Sequence, residues 1–255
     1  MAATPIDSTK RFSDRVANYV KYRPRYPQAI IPYLERQIGL TSDTIIADVG
    51  SGTGILTELF LDHGNFVYGV EPNEPMRSAA EDLLSSYECF TSIDGTAEAT
   101  TLTEESVNLI VAGQAFHWFE PSKARAEFAR ILMPGGYVAL IWNSRLRKGP
   151  FMHAYEELLF TYADDYKSVG DRNVTDEHIG TFFAPQQMTL HTFAHYQMFD
   201  FAGLKGRALS SSYAPVAEHP RHEAFIEHLK QLFDNHQEDG IVSVDYKTRV
   251  YSGQL

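Results

Sequence analysis

Cysteine is nearly absent: the 255 residues contain one, Cys89. A lone thiol closes no internal bridge, which excludes a disulfide scaffold and fits a reducing compartment. Positive charge is also short, with 22 Lys and Arg against 33 Asp and Glu and a formal net charge of −11. That balance argues against broad binding to nucleic-acid phosphates, so no nucleic acid partner is expected. Long apolar runs are missing too. The longest clear one, Tyr137 to Trp142, is far too short to span a bilayer, and no membrane partner is expected. The opening residues Met1 to Ser8 lack the basic-then-apolar pattern of a secretory signal, so a cytoplasmic location is the expectation. No repeat or low-complexity tract interrupts the chain. What is present is 44% apolar and 13% aromatic residues. A chain of this length buries roughly three-quarters of its unfolded surface and needs neither bridges nor metal to hold a core.

From residue 44 onward, short apolar runs alternate with helical patterns. Thr44 to Gly50 is a β-branched run ending in glycine, as in a buried parallel strand. Ile55, Leu56, Leu59 and Phe60 follow at helical spacing, and His63, Gly64 and Asn65 punctuate the end. Further strands are expected at Phe66 to Glu71, Cys89 to Ile93, Val107 to Ala112 and Tyr137 to Asn143, with helices at Met76 to Ser85 and Pro121 to Leu132. Pro134, Gly135 and Gly136 read as a turn before the fifth strand. Beyond it come an amphipathic helix over Met152 to Ala163, a strand over Thr189 to Phe199, a helix around Phe225 to Phe233, and a cleanly alternating strand from Val242 to Val250. These units predict an α/β fold: a Rossmann-like, doubly wound, seven-stranded sheet, mostly parallel with one antiparallel strand, plus helical cap additions. The expected division is a single domain with an amino-terminal lid and helix (1–39), a cofactor core (40–143), and cap insertions with the last two strands (144–255).

The chemistry-bearing segment is Asp48-Val49-Gly50-Ser51-Gly52-Thr53-Gly54, at the end of the first strand and the start of a helix. Glycines there permit a tight turn and let bare backbone approach a ligand. Glu71 ends the second strand, at the distance from the loop where an acid accepts hydrogen bonds from a ribose diol. A dinucleotide fingerprint needs a glycine where Ile55 stands. Asp48 beside the loop also repels a pyrophosphate but attracts an ammonium group. S-adenosylmethionine (SAM) carries an ammonium, a sulfonium, a ribose and an adenine but no phosphate, so it fits better than NAD.

These segments resemble the class I SAM-dependent methyltransferases. Ile45 to Gly54 is similar to their first motif, Val67 to Asn73 to the second, and Asp94 to Glu98 to the third. The run Gln114-Ala115-Phe116-His117-Trp118-Phe119 resembles the segment after strand four in the type 11, small-molecule branch, and Leu132 to Tyr137 its turn before strand five. Phe12, Ser13, Tyr19 and the run Tyr22 to Pro27 are similar to the lead-in of a subgroup related to trans-aconitate-type methyltransferases. The resemblance is strong over residues 12–143 and weaker over 201–251. It implies SAM as cofactor and S-adenosylhomocysteine as product. The implied cofactor residues are Asp48, Gly50, Gly52 and Gly54 on the methionine–ribose side, Glu71 and Pro72 at the ribose, Thr96, Ala97 and Glu98 around the adenine, and Gln114 near the methionine. Two positions depart from the pattern: Asn108 and Thr96 stand where aspartate is frequent.

Methyl transfer is an in-line displacement, and alignment with exclusion of water supplies much of its catalysis. A base is needed only where the acceptor must lose a proton. His117 is the candidate base, with packing or cofactor lining as its alternative. Trp118 and Phe119 are candidates for the pocket wall, where aromatic faces favour a sulfonium. The segment from Lys10 to Arg25 gathers Lys10, Arg11, Arg15, Lys21, Arg23 and Arg25 against Asp14, either as a solvated face or as an anion-attracting lid. Within it, Tyr19, Tyr22, Arg23 and Tyr26 are lid candidates, and Arg23 suits a substrate carboxylate. Ser210 to Tyr213 lines the acceptor entrance or forms a polar turn. The pairs His191/His195 and His219/His222 lack further ligands, so no metal is expected. The reading is a SAM-dependent methyltransferase of a small-molecule acceptor. The alternatives are a SAM-binding regulatory protein without catalysis, or an NAD-dependent oxidoreductase.

Overall fold

The computed structural model describes residues 16–163, 166 and 175–255. Lys10, Arg11, Phe12, Ser13, Asp14 and Arg15 lie outside the described residues. Two helices come first, α1 (Val16–Tyr22) and α2 (Ile30–Ile38). Strand–helix alternation follows through β1 (Ile45–Val49), α3 (Ile55–Asp62), β2 (Phe66–Val70), α4 (Glu74–Leu83), β3 (Phe90–Ile93), β4 (Val107–Gly113), α5 (Pro121–Ile131) and β5 (Leu132–Arg145). The chain then runs through α6 (Gly149–Tyr162), α7 (Asp176–Phe183), β6 (Met188–Phe199), α8 (Phe201–Leu209), α9 (His222–His236) and β7 (Val242–Gly253).

The strands form one seven-stranded sheet in the order β3-β2-β1-β4-β5-β7-β6. The pairs β1–β2, β1–β4, β2–β3 and β4–β5 are parallel, and β7 runs antiparallel to both β5 and β6. The expected sheet, with its one antiparallel strand, is therefore present. Order reverses between β1 and β4, which opens a crevice at the carboxyl ends of those strands.

Alternation along each strand divides the core between the two faces. Ala47, Val49, Ile110, Ala112, Val138 and Leu140 pack with Phe128 of α5 and Phe183 of α7 on one face. Ile46, Leu109, Val111, Ala139 and Ile141 pack with Leu34 of α2 and Phe60 of α3 on the other. A third cluster joins Tyr155 and Leu159 of α6, Leu204 and Ala208 of α8, Phe225 and Leu229 of α9, and Val242, Val244 and Tyr246 of β7. Because Tyr246 pairs with Arg145 at the carboxyl end of β5, this helical cap stands at the same end of the sheet as the glycine loop.

Three local differences have physical causes. The Pro134-Gly135-Gly136 turn lies inside β5, where the register jumps from Val107↔Leu132 to Leu109↔Tyr137 and Gly135 takes φ 81°. Extra residues on one strand are absorbed as an irregularity that glycine tolerates. Helix α8 escapes the periodicity reading because Gly203 and Gly206 lower its helix propensity. Asn108 accepts the Ile45 amide (2.9 Å) and donates to Met133 Sδ, so it ties the start of β4 to β1 rather than facing the crevice.

Candidate functional site

The loop after β1 turns back under β2. Gly50 and Ser51 donate their amides to the Val70 carbonyl at 2.8 and 3.2 Å. Gly50 and Gly52 hold φ 72° and 58°, and both line a cavity of about 830 Å³. A Cβ on Gly50 would lie 2.5 Å from that of Ala115, so this floor admits no side chain. Bare backbone at the switch point is what close approach to a ligand requires.

Glu71 is 8% exposed at the end of β2 and is oriented by two backbone donors. Gly52 N–H reaches its Oε2 at 2.9 Å and Asn73 N–H its Oε1 at 2.8 Å. Burial raises its carboxyl above the ordinary value, opposed by those two amides and by Arg77. The adjoining wall comes from Pro72 and from Thr96, Ala97 and Glu98 after β3. Arg77 donates to the Glu71 carbonyl and to Asp94, while Glu98 accepts the Glu120 amide at 2.8 Å, so second- and third-motif segments are held in fixed register.

Asp48 faces a smaller recess of about 40 Å³ behind the loop, shared with Gly50, Gly52, Arg23, Gln114 and Asn143. It has no exposed surface; Thr57 donates to Oδ2 at 2.7 Å, and Oδ1 has no hydrogen-bond partner. Burial pushes its carboxyl up to about 7, with Thr57 opposing and the Glu71 charge adding. Two expected site residues stand elsewhere. Gly54 lines neither cavity: at φ 83° it caps α3, and a Cβ there would meet Leu84 at 2.6 Å. Its lack of a side chain serves helix packing. Tyr22 also lies outside the lining, packed over Gly206 of α8, where it docks α1 onto the cap.

After β4, Gln114 adopts φ 58° and donates its side-chain amide to the Asn143 carbonyl at 3.0 Å. A short 3-10 turn, Phe116–Trp118, follows. Phe116 is buried against Trp142 and Phe182, whereas His117, Trp118 and Phe119 border the cavity. Phe119 does double duty, since it also packs on Phe128.

The far end is basic and aromatic. Tyr19, Arg23, Arg145, Arg207, Ser212 and Tyr213 line it, together with Glu156 and Tyr166. Arg145, Arg207 and Glu156 were missed from sequence. Arg145 ends β5, and a strand's carboxyl end in such a sheet was a usable signal. Arg207 and Glu156 sit on apolar helix faces, where only the folded neighbours show their purpose. The facing Arg145 and Arg207 guanidinium groups lower the Tyr213 phenol, against the upward push of burial. His191, by contrast, stacks on Tyr33 with centroids 4.5 Å apart.

Residues 47–140 match the family model described as a methyltransferase domain. An uncharacterized methyltransferase-like protein of Schizosaccharomyces pombe is 31% identical over 160 residues, which span 62% of this chain and 61% of that protein. An uncharacterized methyltransferase of the same organism is 27% identical over 251 residues, 96% of this chain and 97% of the relative. Among solved structures, a protein of Anaeromyxobacter dehalogenans described as a candidate type II methyltransferase superposes with TM-score 0.69 at 19% identity, over 91% of this chain and 98% of that one.

Proposed function

We propose that the chain, whose residues 47–140 match a methyltransferase domain, is a SAM-dependent methyltransferase on the class I fold that methylates a small-molecule acceptor in the cytoplasm, as a single domain with no nucleic acid or membrane partner. Among the described residues no helix is long and apolar enough to cross a membrane. The observation that carries the proposal is one continuous cavity of about 830 Å³, running from the bare glycine loop to the helical cap. Ligand sites span roughly 300–1,000 Å³, so this one is large enough for a nucleoside cofactor and a small acceptor together.

The residues present fit the cofactor. Gly50 and Gly52 offer backbone without side chains, and the unpartnered Asp48 Oδ1 faces the adjoining recess, where an ammonium group would satisfy it. Glu71, fixed by two amides, is placed to accept from a ribose diol; Pro72, Thr96, Ala97 and Glu98 bound the adenine side; Gln114 and Asn143 border the methionine side. When bound, SAM supplies an electrophilic methyl on its sulfonium. Trp118 and Phe119 then exclude water from the reacting end, and Tyr19 of α1 and Arg23 just after it close the cavity. His117 holds or moves a proton only where the acceptor carries one.

Calorimetry with S-adenosylhomocysteine and NAD tests the proposal. The product should bind with a Kd of roughly micromolar order, about −8 kcal/mol, and NAD should not bind. Glu71→Ala should weaken product binding about 10- to 100-fold, the size of a lost charge-assisted hydrogen bond. NAD binding without product binding contradicts the reading, and full affinity in the variant contradicts the ribose assignment.

A further inference from the structure

Among the described residues, two guanidinium groups at the cap end have no carboxylate partner. Arg23 Nη2 donates to the Ser210 carbonyl at 2.9 Å, its plane lies over Tyr19 at 4.7 Å, and its buried Nε has no hydrogen-bond partner. Arg207 is 5% exposed; it gives Nε to the Tyr246 hydroxyl at 3.1 Å and Nη1 to the Ser210 and Ser211 hydroxyls at 3.5 and 3.3 Å. Among the described residues, every partner of these two arginines is neutral. Burial and the facing Arg207 charge both work against Arg23. Two like charges held in one poorly solvated place are best satisfied by a bound anion.

Arg145 stands differently. Its Nη2 meets Glu156 Oε1 at 3.2 Å and the Tyr166 hydroxyl at 2.8 Å. Glu156, 6% exposed, also meets Arg147 at 3.4 Å and accepts from Tyr166 on both oxygens, at 2.7 and 2.8 Å. Glu156 therefore answers the Arg145 charge from within the protein, while the buried Arg145 Nη1 has no hydrogen-bond partner.

If the cofactor reading above holds, one carboxylate arrives with the methionine end of SAM. Arg23 is the cation that borders both the recess behind the glycine loop and the main cavity. We propose that Arg23 takes the cofactor's carboxylate, that Arg207 takes the single carboxylate of an organic acid acceptor, and that Glu156, by occupying Arg145, restricts the acceptor to one. A second carboxylate reaching toward Arg145 meets Glu156, a like charge in a poorly solvated place. Tyr213 faces Arg207 and meets the Tyr166 ring edge-on, and Trp118 lines the same cavity; these aromatic walls suit an apolar or unsaturated body behind that carboxylate. The carboxylate bound at Arg207 fixes the acceptor and leaves its other end to face the glycine loop.

The test is calorimetry on the protein saturated with S-adenosylhomocysteine. The probes are acetate, crotonate and cinnamate, the amides of the last two, 4-carboxycinnamate, and methyl phosphate. At least one monocarboxylate should bind, and its amide should bind at least about 30-fold more weakly, as loss of a charge-assisted pair demands. 4-Carboxycinnamate should bind no more tightly than cinnamate. Arg207→Met should abolish the acid-over-amide preference while leaving product affinity within about threefold. Glu156→Gln should tighten 4-carboxycinnamate about tenfold or more. Arg23→Met should weaken the product about tenfold and leave the acid preference.

Equal binding of acid and amide, or no binding by any acid, overturns the proposal. Tighter binding of 4-carboxycinnamate or methyl phosphate to the unsubstituted protein overturns the single-carboxylate limit, and unchanged product affinity in Arg23→Met overturns the division of roles. Failure of the product itself to bind would instead refute the cofactor reading. If Arg207→Met does not fold, the acid–amide comparison on the unsubstituted protein still decides.

Discussion

Asp48 lies fully enclosed, with Thr57 on one carboxylate oxygen and nothing on the other. Its carboxyl is raised from 3.8 to about 7, chiefly by burial. Native protein therefore holds this proton where the unfolded chain has lost it. As pH rises from about 4 to about 7, burying the charge makes the fold progressively less stable, and above that the loss is constant. Asp48→Asn keeps the Thr57 hydrogen bond and removes the charge. It should raise unfolding free energy at pH 8 by up to about 4 kcal/mol, with no gain below pH 4, read by denaturant titration at both values. The same variant should bind S-adenosylhomocysteine more weakly, because the site loses its anionic partner for an ammonium. His117 makes a contrasting case. As a residue that lines the cavity, His117 is dispensable for proton transfer, so His117→Gln should lower kcat by less than about tenfold and leave the pH profile unchanged. A loss of 100-fold or more, with an inflection removed from the profile, would instead identify it as a base. The glycine loop was legible at this scale because close backbone approach leaves few residue choices. Gly54 lines neither cavity, and spacing alone does not separate a glycine under a ligand from one under Leu84.

Helix α1 reaches the site by lying on α8, and the contact depends on a missing side chain. A Cβ at Gly206 would stand 2.0 Å from Tyr22 Cε2. Gly206→Ala should push α1 away and destabilise the protein by about 1–3 kcal/mol, the usual cost of overpacking. Arg23 follows α1 directly, so product affinity should fall as well. Normal stability together with unchanged affinity would show that α1 closure does not matter. Element existence was legible for the strands, whose apolar runs are confined by Gly, Pro and Asn. Helices α7 and α8 were not, being short and, for α8, glycine-interrupted. Their stability comes from the core clusters they complete, and that depends on partners far along the chain.

Across the whole molecule, strand order does the positioning. Reversal between β1 and β4 places Gly50 beside Ala115, and antiparallel insertion of β7 beside β5 brings Tyr246 opposite Arg145. The cofactor end is assembled from loops that follow successive strands, so its order could be read along the sequence. The basic, cap-side end draws Arg145, Glu156, Arg207 and Tyr213 from separate elements. No short motif links them, and only the fold brings their charges together. A crystal structure of the complex with S-adenosylhomocysteine decides the cofactor assignment. It should show the ribose hydroxyls on Glu71, the ammonium group toward Asp48, and the sulfur facing the Arg145–Arg207 end of the cavity. A ribose held away from Glu71, or a ligand bound outside the glycine-loop cavity, would contradict it.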